Sequence, residues 1–160
     1  DATEIMEFRK KLKYSKDRLG LENITINDTI LFAASRTLLK HKDLNANFVD
    51  DTMLYFRNVN LGVAVDTERG LMVPTIMDAN LKSLNDISRE VKALAKDCQA
   101  GSINPDLLKN GSFTITNLGA LGIESFTPVL NPPQTGILGV NTISGWRVCI
   151  LSRYDAFSYL

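Results

Sequence analysis

Residues 61–74 read Leu61-Gly62-Val63-Ala64-Val65-Asp66-Thr67-Glu68-Arg69-Gly70-Leu71-Met72-Val73-Pro74. Two short apolar runs, Leu61 to Val65 and Leu71 to Pro74, flank a polar stretch that ends in glycine, and runs of that length bounded by turn residues predict strands. Pro74 has no N–H for a sheet ladder, so it is expected at a strand end, a bulge or an edge. Beyond it the period changes. Ser83 to about Ala100 predicts a helix, because Ser83-x-x-Asp86 resembles a capping box and Leu84, Ile87, Val91, Leu94 and Cys98 recur at intervals of three and four. Gly101 is its natural terminator.

On the N-terminal side, Asn47 to Val49 and Met53 to Arg57 predict a hairpin about the turn-forming pair Asp50-Asp51. A helix is expected from Asn27 or Asp28 to His41, with Leu31, Ala34 and Leu38 on one face. Another runs from Thr3 to about Arg18, where Ile5, Phe8 and Leu12 recur at helical spacing and Gly20 follows as a stop. Further strands are expected at Ser112 to Thr116, Thr135 to Asn141 and roughly Arg147 to Leu151, with Asn131-Pro132-Pro133 as a stiff connection. Helices interspersed with hairpins predict an α/β layer domain with a mixed sheet, not a regular βαβ array.

The 160 residues suit one domain with one ordinary core. Eighteen basic and eighteen acidic residues give no net charge, so no global field draws the protein to nucleic acid or to an anionic membrane. A phosphate-bearing ligand must then meet a local basic group. Cys98 and Cys149 lie far apart without CxxC or other metal-like spacing, which argues against a disulfide framework or a zinc site and fits a reducing, intracellular setting. No apolar run approaches the ~20 residues of a membrane span. The start, Asp1-Ala2-Thr3-Glu4, has no signal-peptide layout, and the chain is expected to be part of something longer.

Walker A, GxGxxG, HExxH and GxSxG signatures are absent. The lone histidine, His41, falls at a predicted helix end, where a structural role is expected. In Phe113-Thr114-Ile115-Thr116-Asn117-Leu118-Gly119 a strand ends in a hydroxyl, an amide and a glycine. Such a point could gather donors to stabilise an oxyanion, although the same residues also suit an ordinary turn. Asp66 has two readings as well, a ligand contact or an acceptor in its own hairpin turn.

Several segments in order resemble the catalytic domain of dihydrolipoamide acyltransferases. They are Asp43-Leu44-Asn45-Ala46, Val59 to Asp66, Gly70 to Pro74, Gly111 to Gly119, Phe126-Thr127-Pro128, and Asn131-Pro132-Pro133-Gln134 through Ile137-Leu138-Gly139-Val140. The likeness spans about Ala2 to Val140 and rests on ordered motifs at matching spacings.

The resemblance implies a chloramphenicol-acetyltransferase-like two-layer α/β domain with a mixed sheet and packed helices. It implies a homotrimer, in some members a 24-mer or 60-mer core, with active sites between subunits. An acyl group carried on the lipoyl group of a separate lipoyl domain would pass to coenzyme A, the two substrates entering a channel from opposite ends, with no metal. The implied partners are that lipoyl domain and the 2-oxo acid decarboxylase and dihydrolipoamide dehydrogenase subunits. The implied compartment is the bacterial cytoplasm, or alternatively the mitochondrial matrix.

Thr116 occupies the family's serine position for oxyanion stabilisation, and Arg9, Thr25, Asp66, Ala120 and Asn141, with Thr116 itself, fall where family members contact coenzyme A. Arg9 is the natural phosphate partner, although its residue type equally suits a solvated helix arginine. The family's basic histidine lies in an HRxxDG segment that residues 1–160 do not contain. Residues 1–160 are therefore expected to be an incomplete acyltransferase core, lacking the family's first helix and strand as well, and inactive alone. Aligning Tyr154-Asp155-Ala156 with that segment would need a hairpin about a dozen residues too short. Two other readings stay open: a non-catalytic scaffold that keeps the trimer, and a free-standing acetyltransferase acting on a small hydroxylated acceptor.

Overall fold

In the computed structural model, which describes residues 1–145, the expected pair of runs at 61–74 falls within one antiparallel ladder over 61–76 that is broken in its middle. The strands are β3 (Leu61–Val63), β4 (Val65–Thr67), β5 (Gly70–Met72) and β6 (Thr75–Ile76). β3 pairs with β6 through Leu61 and Ile76, and β4 pairs with β5 through Val65 and Met72, in a single continuous register. Pro74 sits at the break. Its carbonyl accepts from Val63 N at 2.9 Å but it has no N–H to return, while Ala64 N, on the other side of the strand, donates to Ile115 O at 3.0 Å in the parallel ladder with Phe113–Asn117. The outer half of the hairpin therefore leaves the sheet that the inner half belongs to.

That sheet has four strands in the order β6-β3-β7-β8, where β7 is Phe113–Asn117 and β8 is Ile137–Val140. β3, β7 and β8 run parallel and β6 antiparallel, so the expected mixed sheet is present. Gly62 is required where β3 meets β7, since a Cβ there would lie 2.8 Å from Thr114 Oγ1 and 3.0 Å from Val73 Cγ1. A separate hairpin joins β1 (Ala46–Val49) to β2 (Thr52–Tyr55) through Asp50 and Asp51. Both turn residues have positive φ, the left-handed conformation that two-residue hairpin turns demand.

Helices form the second layer. The predicted first helix breaks at Ser15 into α1 (Thr3–Tyr14) and α2 (Lys16–Leu19), the latter closed by Gly20 in the left-handed region. α3 (Ile26–Thr37) starts earlier than Asn27 because Thr25, not Asn27 or Asp28, is its N-cap. Thr25 Oγ1 accepts from Asp28 N and the Asp28 carboxylate accepts from Thr25 N, a full capping box. α3 tightens into a 3₁₀ turn at Leu38–Lys40 before the exposed His41. α4 (Leu84–Ala100) matches its expected bounds, with Ser83 capping through Asp86 N and Gly101 ending it in the left-handed region.

Leu31 of α3, Leu38 of the 3₁₀ turn that follows it, and Ile87, Val91 and Leu94 of α4 pack on Leu61, Val63, Phe113 and Ile115 of the sheet. Fully burying a side chain such as Leu31 is worth about 1.5–3 kcal/mol, and this shared interior joins the two layers. Among the described residues, no helix is long and apolar enough to cross a membrane. The expected strand near 147–151, Cys149 and Tyr154-Asp155-Ala156 lie outside the described residues.

Candidate coenzyme-binding cleft

A cleft of about 860 Å³ opens where the first turn of α3 meets the C-terminal ends of β7 and β8. Ile5 and Arg9 of α1 form one side, and Thr25, Ile26, Asn27 and Ile30 of α3 form the next. Val63, Ala64 and Ile115 supply an apolar floor. Asn117, Gly119, Ala120 and Asn141 close the far side, and Asp1 and Ala2 reach the rim. The size and the mixture of an apolar floor with a few polar groups suit a small-molecule ligand.

The polar groups of this cleft favour an anion. Arg9 supplies the one cationic side chain of the lining, and its Nε is buried without a hydrogen-bond partner among the described residues. The first turn of α3, whose Thr25, Ile26 and Asn27 line the cleft, adds the positive end of a helix dipole. A ligand phosphate there would satisfy donors that the fold leaves open.

Behind this wall the capping box extends into the interior. Asp28 is 2% exposed, and its Oδ2 accepts from Ser88 Oγ of α4 at 2.7 Å. Lys92 Nζ lies 3.8 Å from the same carboxylate oxygen and donates to Ser88 Oγ at 2.6 Å and to Asn23 O at 2.8 Å. Thr25 is thereby held by a buried network that ties α3 to α4.

Arg9, Thr25, Ala120 and Asn141, distant in sequence, meet in the cleft; Asp66 and Thr116 are not part of its lining. Asp66 is exposed on β4, opposite Leu71, and borders a separate recess with Thr67, Glu68 and Gln99. It is not the turn acceptor either. Thr67 fills that role, its Oγ1 donating to Gly70 O at 2.7 Å and accepting from Arg69 N at 3.2 Å, because the strand continues one residue beyond Asp66.

Thr116 is half-buried on the opposite side of the sheet from its neighbours Ile115 and Asn117, as strand alternation requires. It faces Gly139 in the ladder, where Phe126 and Pro128 close over the missing side chain. Its hydroxyl has no hydrogen-bond partner among the described residues. Asn27 is a cleft residue that sequence reasoning did not single out, since an Asn near a helix start reads as a capping residue.

Residues 1–152 match the family described as 2-oxoacid dehydrogenases acyltransferase (catalytic domain). The chain is 40% identical over 140 residues to dihydrolipoyllysine-residue acetyltransferase component 3 of the pyruvate dehydrogenase complex, mitochondrial, of Arabidopsis thaliana, covering 87% of this chain and 26% of that protein. It superposes with a TM-score of 0.87 and 32% identity on the dihydrolipoamide acetyltransferase of Azotobacter vinelandii, over 94% of this chain and 62% of that one. The cubic core of a pyruvate dehydrogenase multienzyme complex gives the same figures: TM-score 0.87, 32% identity, 94% and 62% coverage. The chain thus spans about a quarter of the Arabidopsis relative, at 26%, and less than two-thirds of the solved chains, at 62%. With the match extending over residues 1–152 and the fold shared with solved acetyltransferase cores, this chain belongs to the catalytic-domain family of the 2-oxoacid dehydrogenase acyltransferases.

Proposed function

We propose that the protein containing this chain transfers an acyl group between dihydrolipoamide, carried on a lipoyl domain, and coenzyme A within a 2-oxo acid dehydrogenase complex. The observation that carries this reading is the meeting of Arg9, Thr25, Ala120 and Asn141 in one cleft, beside a helix N-terminus that favours an anion. Four of the positions at which the family resemblance expects coenzyme A come together from four separate parts of the chain. The acetyl group named for the relatives is the acyl group to test first.

In this reading the Arg9 guanidinium and the first turn of α3 take phosphate, and the apolar floor shelters the pantetheine arm from water. The thiol end is directed toward the end of β7. The acylated lipoyl arm arrives from the side of the sheet that carries Thr116, whose hydroxyl donates to the tetrahedral oxyanion. Asp66 would contact coenzyme A from its hairpin only in the assembled oligomer.

His41 cannot be the base at this place, since it lies at the far end of α3, on the order of 20 Å along the helix from the cleft. The base is the histidine of an HRxxDG segment supplied across a subunit interface. Residues 1–160 form the core of a single acyltransferase domain. The assembly is a homotrimer or a 24-mer or 60-mer built from trimers, served by the decarboxylase and dihydrolipoamide dehydrogenase subunits. It works in the bacterial cytoplasm or the mitochondrial matrix.

The test is an acyl-transfer assay on the full-length protein, with acetyl-coenzyme A as donor and dihydrolipoamide or small alcohols as acceptors. Transfer to dihydrolipoamide in preference to alcohols is expected. Preference for alcohols would establish the free-standing acetyltransferase reading instead, and assembly with coenzyme A binding but no transfer would establish the scaffold.

A further inference from the structure

Asn117 is the last residue of β7 and uses both halves of its carboxamide. Its Nδ2 donates to Asn27 Oδ1 on α3 at 2.9 Å, and its Oδ1 accepts from Gly119 N at 2.9 Å. Asn27 is two residues from Thr25, and Gly119 adjoins Ala120. Gly119 also lies against Asn141, since a Cβ on it would stand 2.6 Å from the Asn141 carbonyl oxygen. Leu118 N donates to Val140 O at 3.0 Å and fixes the same turn to β8. One amide therefore bridges the α3 wall of the cleft to the β7–β8 wall.

No other hydrogen bond between described side chains joins those two walls directly. α3 is tied to α4 by Asp28, Ser88 and Lys92, whereas the turn after β7 is tied to β8 by its backbone. The separation between Thr25 on one side and Ala120 and Asn141 on the other is thus set at Asn117. A hydrophobic side chain of similar size could fill the space but could not hold Asn27 and Gly119 at fixed distances, because dispersion contacts lack the direction of a hydrogen bond.

We propose that Asn117 is a positioning residue that sets the width of the cleft for coenzyme A; the inference rests on the cleft being the coenzyme site. It acts through Asn27 and Gly119, and its loss weakens coenzyme A binding while leaving the reacting groups in place. The oxyanion hydroxyl of Thr116 is on the other side of the sheet, so the two neighbouring residues separate binding from chemistry.

The experiment measures KM for coenzyme A, KM for dihydrolipoamide and kcat for the full-length protein and its Asn117→Ala, Asn117→Asp, Asn27→Ala and Asn27→Ala/Asn117→Ala variants, with circular dichroism melting of each. Losing this two-bond bridge is expected to raise KM for coenzyme A on the order of tenfold in Asn117→Ala, with a smaller change in kcat. KM for dihydrolipoamide should stay near the parent value. The double variant should be little worse than Asn117→Ala, because both substitutions break one bridge. Asn117→Asp should recover much of the loss, since a carboxylate still accepts from Gly119 N and the Asn27 amide can turn to donate. A folded Asn117→Ala protein with unchanged KM for coenzyme A, or with kcat alone reduced, would overturn the proposal. If the parent itself shows no saturable dependence on coenzyme A, it is the functional reading that fails, and this inference with it.

Discussion

Ser88 donates its hydroxyl to the Asp28 carboxylate across 2.7 Å, and that bond joins the second turn of the molecule's longest described helix to the first turn of α3. Asp28 also accepts from the backbone N–H of Thr25 at 2.8 Å. Replacing Asp28 with Ala removes half of a capping box and leaves the Ser88 hydroxyl and the Thr25 N–H without this acceptor. Loss of a cap costs about 0.5–2 kcal/mol and a stranded buried polar group about 1–3 kcal/mol. Urea unfolding at fixed protein concentration should show about 3 kcal/mol less stability. A change below about 0.5 kcal/mol would mean that the network contributes little.

Thr116→Ala in the full-length protein should lower kcat by about a hundred- to a thousandfold while moving KM for coenzyme A little, as expected for a donor used only when charge develops on the oxyanion. Thr116→Ser should retain activity, because it keeps the hydroxyl and removes only the methyl group. Steady-state kinetics with dihydrolipoamide decide the matter. A rise in KM with normal kcat would assign Thr116 to binding instead.

Gly119→Ala places a Cβ 2.6 Å from Asn141 O and 3.0 Å from Asn141 C. Both contacts are backbone, so the strain is relieved only by moving the turn away from β8. Overpacking of this kind costs about 1–3 kcal/mol. Thermal melting should show the loss, and coenzyme A affinity should fall with it, since the displaced turn carries Ala120.

Cys98 faces the interior from the last turns of α4 and is 1% exposed. Burial raises its thiol pKa, and the neighbouring Asp97 carboxylate adds to the rise. The thiolate is the reactive form, so alkylation of the Cys98 peptide, followed by mass spectrometry, should be slow in the native protein near neutral pH and fast in denaturant. A raised folded-state pKa means that this thiol's contribution to stability is full below its unfolded pKa and is lost as pH rises through the folded one. Cys98→Ser should reduce the loss of stability seen at alkaline pH. Rapid native labelling would place Cys98 outside the packed interior.

The elements that were legible in the sequence are those whose signals are local. α4 runs between the residues expected because Ser83 caps it, Gly101 ends it and its apolar positions recur at helical spacing. The Asp50-Asp51 hairpin was legible for the same reason. The break at Pro74 followed from a missing N–H, yet the strand beside β3 did not: Ala64 N donates to Ile115 O, far along the chain, and nothing near Ala64 announces that contact. Likewise the parallel pairing of β7 with both β3 and β8 depends on long-range packing.

For the candidate site, the motif at 113–119 falls on β7, whose end borders the cleft, and strand alternation separates Thr116 from Asn117. Which of the two faces the cleft depends on where α1 and α3 dock. Asn27 was legible only as a helix-start residue, because its second partner is brought to it by the tertiary fold.

Asp1 and Ala2 stand at the rim of the cleft, and Asp1 Oδ1 accepts from Thr3 N at 2.9 Å to steady the start of α1. Polypeptide joined ahead of Asp1 therefore departs beside the ligand's entrance. Purification tags, fluorophores or fusion partners attached there will report on the entrance and can obstruct it. The hairpin tip at Asp50 and Asp51, exposed and outside the cleft lining, offers a quieter attachment point.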